Sequence, residues 1–559
     1  MSTVRRLEKA LKRRVLKSGI RVRRRAANTV IYGSECFPAF SRLIPSDIVR
    51  LARARRGREV TTFNGHYVVS LRTSSVNRWK LPADTADHVA AAMREAGLQF
   101  FAMNLPYARV TRWGVRRADL PQLAVALRET LGPAGFYYRV PNVKRERLLL
   151  HGIDAEQLNE NSEIEIFRFL RCNTTGRLYG APDGCRIAVW DTDESGRLIS
   201  PVRDSVSQEL DGSDQLELAE RTRWDGRKEP ILAVSQHEAT AIEFPIDAVY
   251  LWVDDSDPEW RARRVAVQRK LGMKTGPELD AETVAAHRFR DRGELRASMR
   301  SLEMNAPWIR QIYLVTDDQR PDWLDPKSDR VRVIDHKEIF SDPSVLPSFN
   351  SHAIESQIHR IPGLADRYLL VNDDVMFNRP VTPYTFFTPT GQLNINFSRS
   401  RRPDISRAHQ TTLESARANS AELLERDYER RASRLFGHVP FPQRKDIAWE
   451  LEERYADEIR KTIEQPFRSE TDVVVISWLH LYTALFTGRG VPAGIRYGYF
   501  NIGDPEARAK MEDLARVEKL QVICLNDVPP PGGADEADPE WLAEWLARMY
   551  PNPTEFELS

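Results

Sequence analysis

The sequence predicts an α/β catalytic domain: an open Rossmann-type sheet with a C-terminal helical elaboration, preceded by a separate N-terminal α+β domain. Three observations carry this. Four short runs, Ala248–Val253, Ile312–Val315, Val331–Ile334 and Tyr368–Val371, are rich in β-branched residues and apolar on both faces, the pattern of buried parallel strands. Helical stretches at 281–304 and 351–360 separate them, implying right-handed strand-helix-strand crossovers. The third observation is length: 559 residues exceed one ordinary core and suggest two or three domains.

The elements before Ile242 read as an accessory module over 26–240. Asn64-Gly65 centres a hairpin over 59–71. Helices are expected at 84–97 and 119–131, and strands at 99–103, 108–114, 135–140, 163–171 and 185–191, the last two flanking the Asp183-Gly184 loop. Residues 192–240 are polar and read as a surface segment plus linker. No catalytic constellation is visible in this module.

Composition narrows the class. With 41% hydrophobic and 29% charged residues the chain is neither disordered nor fibrous. No run of about 18 apolar residues predicts a membrane span. Secretion through a cleaved leader is not expected, no CxxC pair is present, and four cysteines (Cys36, Cys172, Cys185, Cys524) make no disulfide framework. A reducing cytoplasm is the expected compartment. The net charge of +2 conceals an asymmetry: residues 1–25 hold eleven Lys or Arg against Glu8, leaving the rest near −8. Val4, Leu7, Leu11 and Val15 recur at helical spacing among these bases, so the tail reads either as an amphipathic helix for peripheral contact with the inner face of an anionic membrane or as a solvated, disordered tail. Nothing resembles a nucleic-acid module, and no nucleic-acid partner is expected.

The informative residues stand where the four strands end. The first runs into Asp254-Asp255-Ser256-Asp257, the second into Thr316-Asp317-Asp318, the third into Asp335-His336 and the fourth into Asn372-Asp373-Asp374. In open α/β sheets ligands bind beyond these carboxyl ends. Carboxylates converging there repel one another unless a divalent cation intervenes, and oxygen ligands suit magnesium or manganese. Magnesium in turn suits a diphosphate substrate.

Long segments here resemble the Stealth family. They are IDAVYLWVDDSDPEW (246–260), RFRDRGELRASMRSLEMNAPWIRQIYLVTDDQRPDWL (288–324), LPSFNSHAIESQIHRIPGLADRYLLVNDDVMF (346–377), the region 408–487 with GHVPF (437–441) and FRSETDVVVISWLHLY (467–482), and VICLND (522–527) with MYPNPTEFE (549–557). The resemblance covers about 242–559 and places the catalytic domain over 241–559. It implies a nucleotide-sugar-transferase-like fold. It also implies transfer of a hexose-1-phosphate, N-acetylglucosamine-1-phosphate being one option, from a nucleotide-sugar donor to a sugar or polysaccharide acceptor. A phosphodiester of capsule, exopolysaccharide or cell-wall glycan forms, and a nucleoside monophosphate leaves. The alternative is a metal-dependent glycosyltransferase, which releases a nucleoside diphosphate instead. A third class, an inactive carbohydrate-binding scaffold, has no need of clustered metal-type carboxylates.

The resemblance and the chemistry together assign expected roles. Asp373 and Asp374 would hold the metal. His438, whose ordinary pKa suits removal of a hydroxyl proton, is the expected general base. Arg468 would clamp phosphate oxygens with its planar donors. Asp472, four residues on near an expected helix start, would orient His438 or join the metal shell, and Asp472 or Asp257 is the reserve base. Glu355 and His359, four apart on one expected helical face, would line the pocket with Asn350, Ser351 and Arg360. Asp254, Asp291, Glu294 and Arg296 would position the donor beside Asn372. Asn526 and Asp527, at the end of a strand expected at 521–525, would complete the pocket.

Overall fold

A computed structural model describes residues 57–63, 66–74, 76–140, 162–174, 176–203, 207–211, 216–273, 289, 291–401, 411–514, 520–526 and 538–558. The basic tail and Asp527 lie outside the described residues. The chain divides into two compact units between Glu238 and Ala239.

In the first unit, Arg58–Phe63 and His66–Thr73 pair antiparallel, with Phe63 opposite His66 across the expected Asn-Gly turn. Helices Lys80–Glu95 and Leu120–Leu131 share one core with the strands around them: Val89, Met93, Leu123 and Leu127 meet Trp113, Ile164 and Ile187. The expected linker at 192–240 is corrected. Strands Leu218–Thr222 and Lys228–Leu232 form a hairpin, and Ile231 pairs with Ala102 to add it to a nine-stranded sheet. The signal is Asp225-Gly226: Gly226 takes the left-handed conformation, and Arg223 N donates to Arg227 O across the turn. Polar side chains mask this hairpin because only Ile231 and Leu232 bury an apolar face.

The second unit is built on a five-stranded sheet. Its elements are β1 (Ile246–Leu251), α1 (Pro258–Lys270), α2 (Glu294–Asn305), β2 (Ile312–Thr316), β3 (Val331–Asp335), β4 (Arg367–Asn372), β5 (Val375–Phe377), β6 (Phe441–Arg444), β7 (Tyr497–Asn501) and β8 (Val522–Asn526). The spatial order is β3-β2-β1-β4-β6. The first four strands are parallel, and β6 is antiparallel to β4. The fold is therefore α/β, as expected. β1, β2 and β4 are buried on both faces, whereas β3 is a sheet edge with Arg332 exposed. Strand order reverses between β1 and β4, and Leu251 lies opposite Asn372, so two strand ends open side by side at the switch point.

α2 fixes the position of β5, just beyond the end of β4. Ser298 donates to Val375 O, Ser301 Oγ accepts from Phe377 N at 2.8 Å, and Asn305 Nδ2 donates to Phe377 O at 2.7 Å. β5 is thereby held in a second sheet of order β5-β8-β7, which lines up Val375, Cys524 and Tyr499. Within the helix expected over 281–304, the described residues form a helix from Glu294 to Asn305, after Gly293 in the left-handed region; residues 274–288 and 290 lie outside the described residues. The helix expected over 351–360 is also corrected. It stops at Glu355, and Ile358–Arg360 is a separate 3-10 turn. Glu355 and His359 therefore do not share a helical face.

Candidate active site

The four acidic strand ends have different fates. Asp257 caps α1, accepting from Glu259 N at 2.8 Å and Trp260 N at 3.3 Å. Gln319 donates to it as well, and this bond leads the causes that hold its carboxyl below the usual range. Asp254 closes a turn onto Ser256. Asp317 pairs with Arg263 at 3.0 Å. Asp335 forms a capping box for the next helix and accepts from Asp318 N at 2.8 Å. Three of the four ends are thus engaged with backbone or side-chain partners, and Asp257 in particular is a helix cap.

The fourth end differs. Asp373 Oδ1 accepts from Asp374 N at 3.1 Å, and Asp374 Oδ2 accepts from the Cys524 thiol at 3.2 Å. Asp374 Oδ1 is buried with no hydrogen-bond partner among the described residues. Burial, then the charges of Asp374, Asp291 and Glu294, raises the Asp373 pKa well above the carboxylate range. Burial also pushes Asp374 up to about 6, against the Cys524 hydrogen bond. Beside them Asp291 accepts from Trp252 Nε1 at 2.8 Å. Glu294, at the start of α2, is pushed by burial up to about 7 despite accepting from Arg292 N. The charges of Asp374, Asp291 and Glu294 thus bear on Asp373 at the β1/β4 switch point, a repulsion of the kind a divalent cation relieves. Asn372 is exposed at the end of β4.

His438 lies against the second sheet. Its ring lies 4.8 Å from that of Tyr499, and Tyr499 is paired with Cys524 on β8. Desolvation by surrounding protein, with a smaller push from the Arg417 charge, lowers the His438 pKa, although the residue is exposed. Imidazole at neutral pH is therefore unprotonated. Asn526 ends β8 with a buried Nδ2 that has no partner among the described residues.

Arg468 and Asp472 form a second group. Their expected helix begins only at Val475, so the two sit in a turn and do not form a surface ion pair. Arg468 donates to Ser351 Oγ at 2.7 and 3.2 Å. Asp472 is fully buried, and its Oδ2 accepts from Asn350 Nδ2 at 2.9 Å, Ser469 N at 3.0 Å and His352 Nδ1 at 3.0 Å. The expectation that Asp472 orients His438 is corrected: it orients His352. The same bonds lock Asn350 and Ser351 against the Arg468 turn. A groove of about 610 Å³ lies on another side of this turn, lined by Asn419, Glu422 and Thr471, and shares no side chain with the acidic pair.

Three expected residues are held elsewhere. His359 Nε2 meets Glu452 at 2.6 Å and Arg360 donates to the same carboxylate, while Trp449 packs on both. Burial lowers the His359 pKa. Arg296 donates to Glu557 at 2.7 Å, a carboxylate it shares with Arg300. Glu355 is half-buried at the end of its helix. Cys524, Tyr499 and His352 are not singled out by sequence reasoning. Cys524 stands two residues before Asn526 on one strand, hence on the same face, and that period is the available signal.

Three Stealth family models match this chain: conserved region 1 over 244–272, conserved region 2 over 288–395 and conserved region 3 over 437–485. An exopolysaccharide phosphotransferase of Streptomyces coelicolor is 34% identical over 520 residues, 90% of this chain and 87% of the relative. The chain belongs to the Stealth family. A second Streptomyces coelicolor exopolysaccharide phosphotransferase is 32% identical over 91% of both chains. The exopolysaccharide phosphotransferase CpsY of Mycobacterium tuberculosis is 33% identical over 72% of this chain and 74% of its own. This Stealth protein is accordingly an enzyme of the transferase class. Among solved structures, the galactosyltransferase LgtC with donor and acceptor sugar analogues covers 55% of this chain and 98% of its own at 11% identity, with a TM-score of 0.27. Among the described residues, no helix is long and apolar enough to cross a membrane.

Proposed function

We propose that this Stealth protein transfers a hexose-1-phosphate from a nucleotide diphospho-sugar to a sugar hydroxyl, building a phosphodiester of an exopolysaccharide or related surface glycan. The observation that carries the reading is the mutually repelling Asp373–Asp374 pair, linked to His438 through Cys524 and Tyr499. Its relatives' names support the same class of reaction.

The site fits magnesium or manganese. The buried, unpartnered Asp374 Oδ1 and the mutual repulsion at Asp373 both favour a cation there. Among the described residues no three His, Cys, Asp or Glu side chains would hold a metal by themselves. Two carboxylates plus substrate phosphate oxygens and water is a normal magnesium set. When bound, the ion neutralises the diphosphate.

The residues then divide the work. The acceptor oxygen attacks the β-phosphorus, and the bond from that phosphorus to the bridging oxygen breaks. Nucleoside monophosphate leaves with the bridging oxygen, and the sugar C1–O bond survives. His438, unprotonated at neutral pH, takes the hydroxyl proton. Arg468, held by Ser351, would meet phosphate oxygens with its planar guanidinium. Asn350 and Asp472 hold Ser351 and Arg468 in register. Asn526 offers its unpartnered amide to the substrate. The basic residues of 1–25 would keep the enzyme at an anionic membrane surface, beside a lipid-borne acceptor.

The test is incubation with UDP- and GDP-sugars plus magnesium and an acceptor panel, followed by phosphorus NMR. A new phosphodiester resonance with nucleoside monophosphate is expected. Nucleoside diphosphate as the leaving group would overturn the reading in favour of glycosyl transfer.

A further inference from the structure

Tyr499 is a large aromatic left 46% exposed in the middle of β7, while its neighbour Phe500 is buried in the core beneath. Strand alternation turns Tyr499 to the open side. Its hydroxyl makes no hydrogen bond among the described residues, and its one ring neighbour there is His438. The contact is imposed by the fold. Gly437 N donates to Asn396 O at 2.9 Å, and a Cβ at Gly437 would meet Asn396 Nδ2 at 2.3 Å and the Tyr497 ring at 2.9 Å. Only glycine lets the Gly437-His438 turn seat this closely on β7.

We propose that the exposed face of Tyr499 is the floor of the acceptor-sugar subsite, a specificity-determining surface beside the base. This rests on the transferase reading above. A pyranose presents an apolar C–H face and a polar rim, so a half-exposed ring with an unengaged hydroxyl suits it better than it suits a phosphate. The acceptor, and not the donor, is the occupant for a geometric reason. The acceptor hydroxyl must lie within hydrogen-bond reach of His438, and Tyr499 is the aromatic surface in contact with that ring. The donor diphosphate belongs on the other side, at Asp373 and Asp374. A sugar lying on Tyr499 has its hydroxyls delivered between the two.

The experiment uses the full chain with magnesium, UDP-N-acetylglucosamine and GDP-mannose as donors, and chitotetraose, maltotetraose or cellotetraose as acceptor probes. The readout is partition: donor consumed by water against donor transferred to the tetrasaccharide. Tyr499→Ala should shift partition toward hydrolysis about tenfold, the loss of one aromatic contact, and raise the apparent acceptor constant more than the donor constant. Tyr499→Phe should keep wild-type partition, because the ring is the surface. Unchanged partition in Tyr499→Ala would overturn the proposal, as would an equal rise in both constants, or a Tyr499→Phe shift as large as that of Tyr499→Ala. Saturation-transfer NMR with the same tetrasaccharides reads the subsite without turnover. Binding by wild type that Tyr499→Ala loses supports it; equal binding by both, or none by wild type, overturns it. A wild type that releases no nucleoside monophosphate would instead sink the transfer reading, and the subsite would stand or fall on the NMR binding.

Discussion

The Cys524 thiol donates to Asp374 Oδ2 over 3.2 Å, from a strand that pairs Cys524 with Val375, the residue after that aspartate. The sheet thus braces the acidic turn from one side while Asp374 Oδ1 stays uncommitted among the described residues. Groups that orient a metal ligand typically matter 10–100-fold to affinity. Cys524→Ala should therefore raise the apparent magnesium constant by about that factor, with maximal turnover recovered at high magnesium. Cys524→Ser, which keeps a donor, should lie between. A magnesium titration of initial rate checks this; identical curves for all three proteins would remove the bracing role.

Asp373 and Asp374 repel each other, and Asp291 and Glu294 add to the repulsion at Asp373. Neutralising one of the pair should relieve the fold while disabling the chemistry. Asp373→Asn is expected to melt at or above the wild-type temperature in EDTA, yet to lose transfer activity at every magnesium concentration. Thermal unfolding beside the rate assay separates this from a folding defect. A lowered melting temperature in EDTA would contradict the repulsion.

The contrast between these acids and the others explains what is legible in sequence. The parallel strands are legible because burial on both faces leaves a continuous apolar run, and Tyr368–Val371 lies within β4. That carboxylates end the strands is also legible. Which of them is uncommitted is not, because a cap such as Asp257 and an unpartnered acid such as Asp374 are the same letter until the backbone closes around one of them. Sequence alone places His359 and Arg296 in the pocket for a similar reason: their partners, Glu452 and Glu557, lie 93 and 261 residues away. Long-range pairing leaves no local period to read. The hairpin at Asp225-Gly226 carries a legible turn, but its polar strands look like linker.

His438 should keep its base form to a lower pH than an ordinary histidine. Desolvation and then the Arg417 charge lower its pKa from the ordinary 6.5. The acidic limb of the rate profile should fall at a pH below that value. His438→Ala should lose about 10²–10⁴-fold in turnover, the usual contribution of a general base, with the donor constant little changed. An acidic limb that persists unchanged in His438→Ala would assign the titration to another group.

Arg468→Ala should behave differently, because a guanidinium meets phosphate charge before and during reaction. It is expected to raise the apparent donor constant as well as to slow turnover. Asp472→Ala removes an acceptor that His352, Asn350 and Ser469 N share, in a part of the structure where Asn350 and His352 are buried. That should cost several kcal/mol of stability, on the order of 1–3 kcal/mol per orphaned group. Melting curves and donor titrations on the two variants distinguish a phosphate clamp from the scaffold that holds it; a purely kinetic defect in Asp472→Ala, with wild-type melting, would return Asp472 to the chemistry.

Glu557 ties the end of the chain to α2. Burial would raise its pKa, but hydrogen bonds from Arg300 and then Arg296 outweigh this and hold it at about 2. The carboxylate starts from 4.5, so its folded-state value is depressed. The stabilisation is therefore fully present above about pH 4.5 and is lost as pH falls toward 2. Glu557→Gln should lower the melting temperature at pH 7, and the difference from wild type should shrink steadily below pH 4.5. Breaking a buried ion pair by removing one partner costs about 3 kcal/mol where both groups are enclosed, and less here because Arg296 is more exposed than Arg300. Arg300→Ala should accordingly destabilise more than Arg296→Ala. Neither pairing touches the acidic turn directly, so Arg296→Ala should leave the apparent donor constant unchanged while lowering the melting temperature. A selective rise in that constant, with melting intact, would instead make Arg296 a donor-binding residue and its bond to Glu557 incidental.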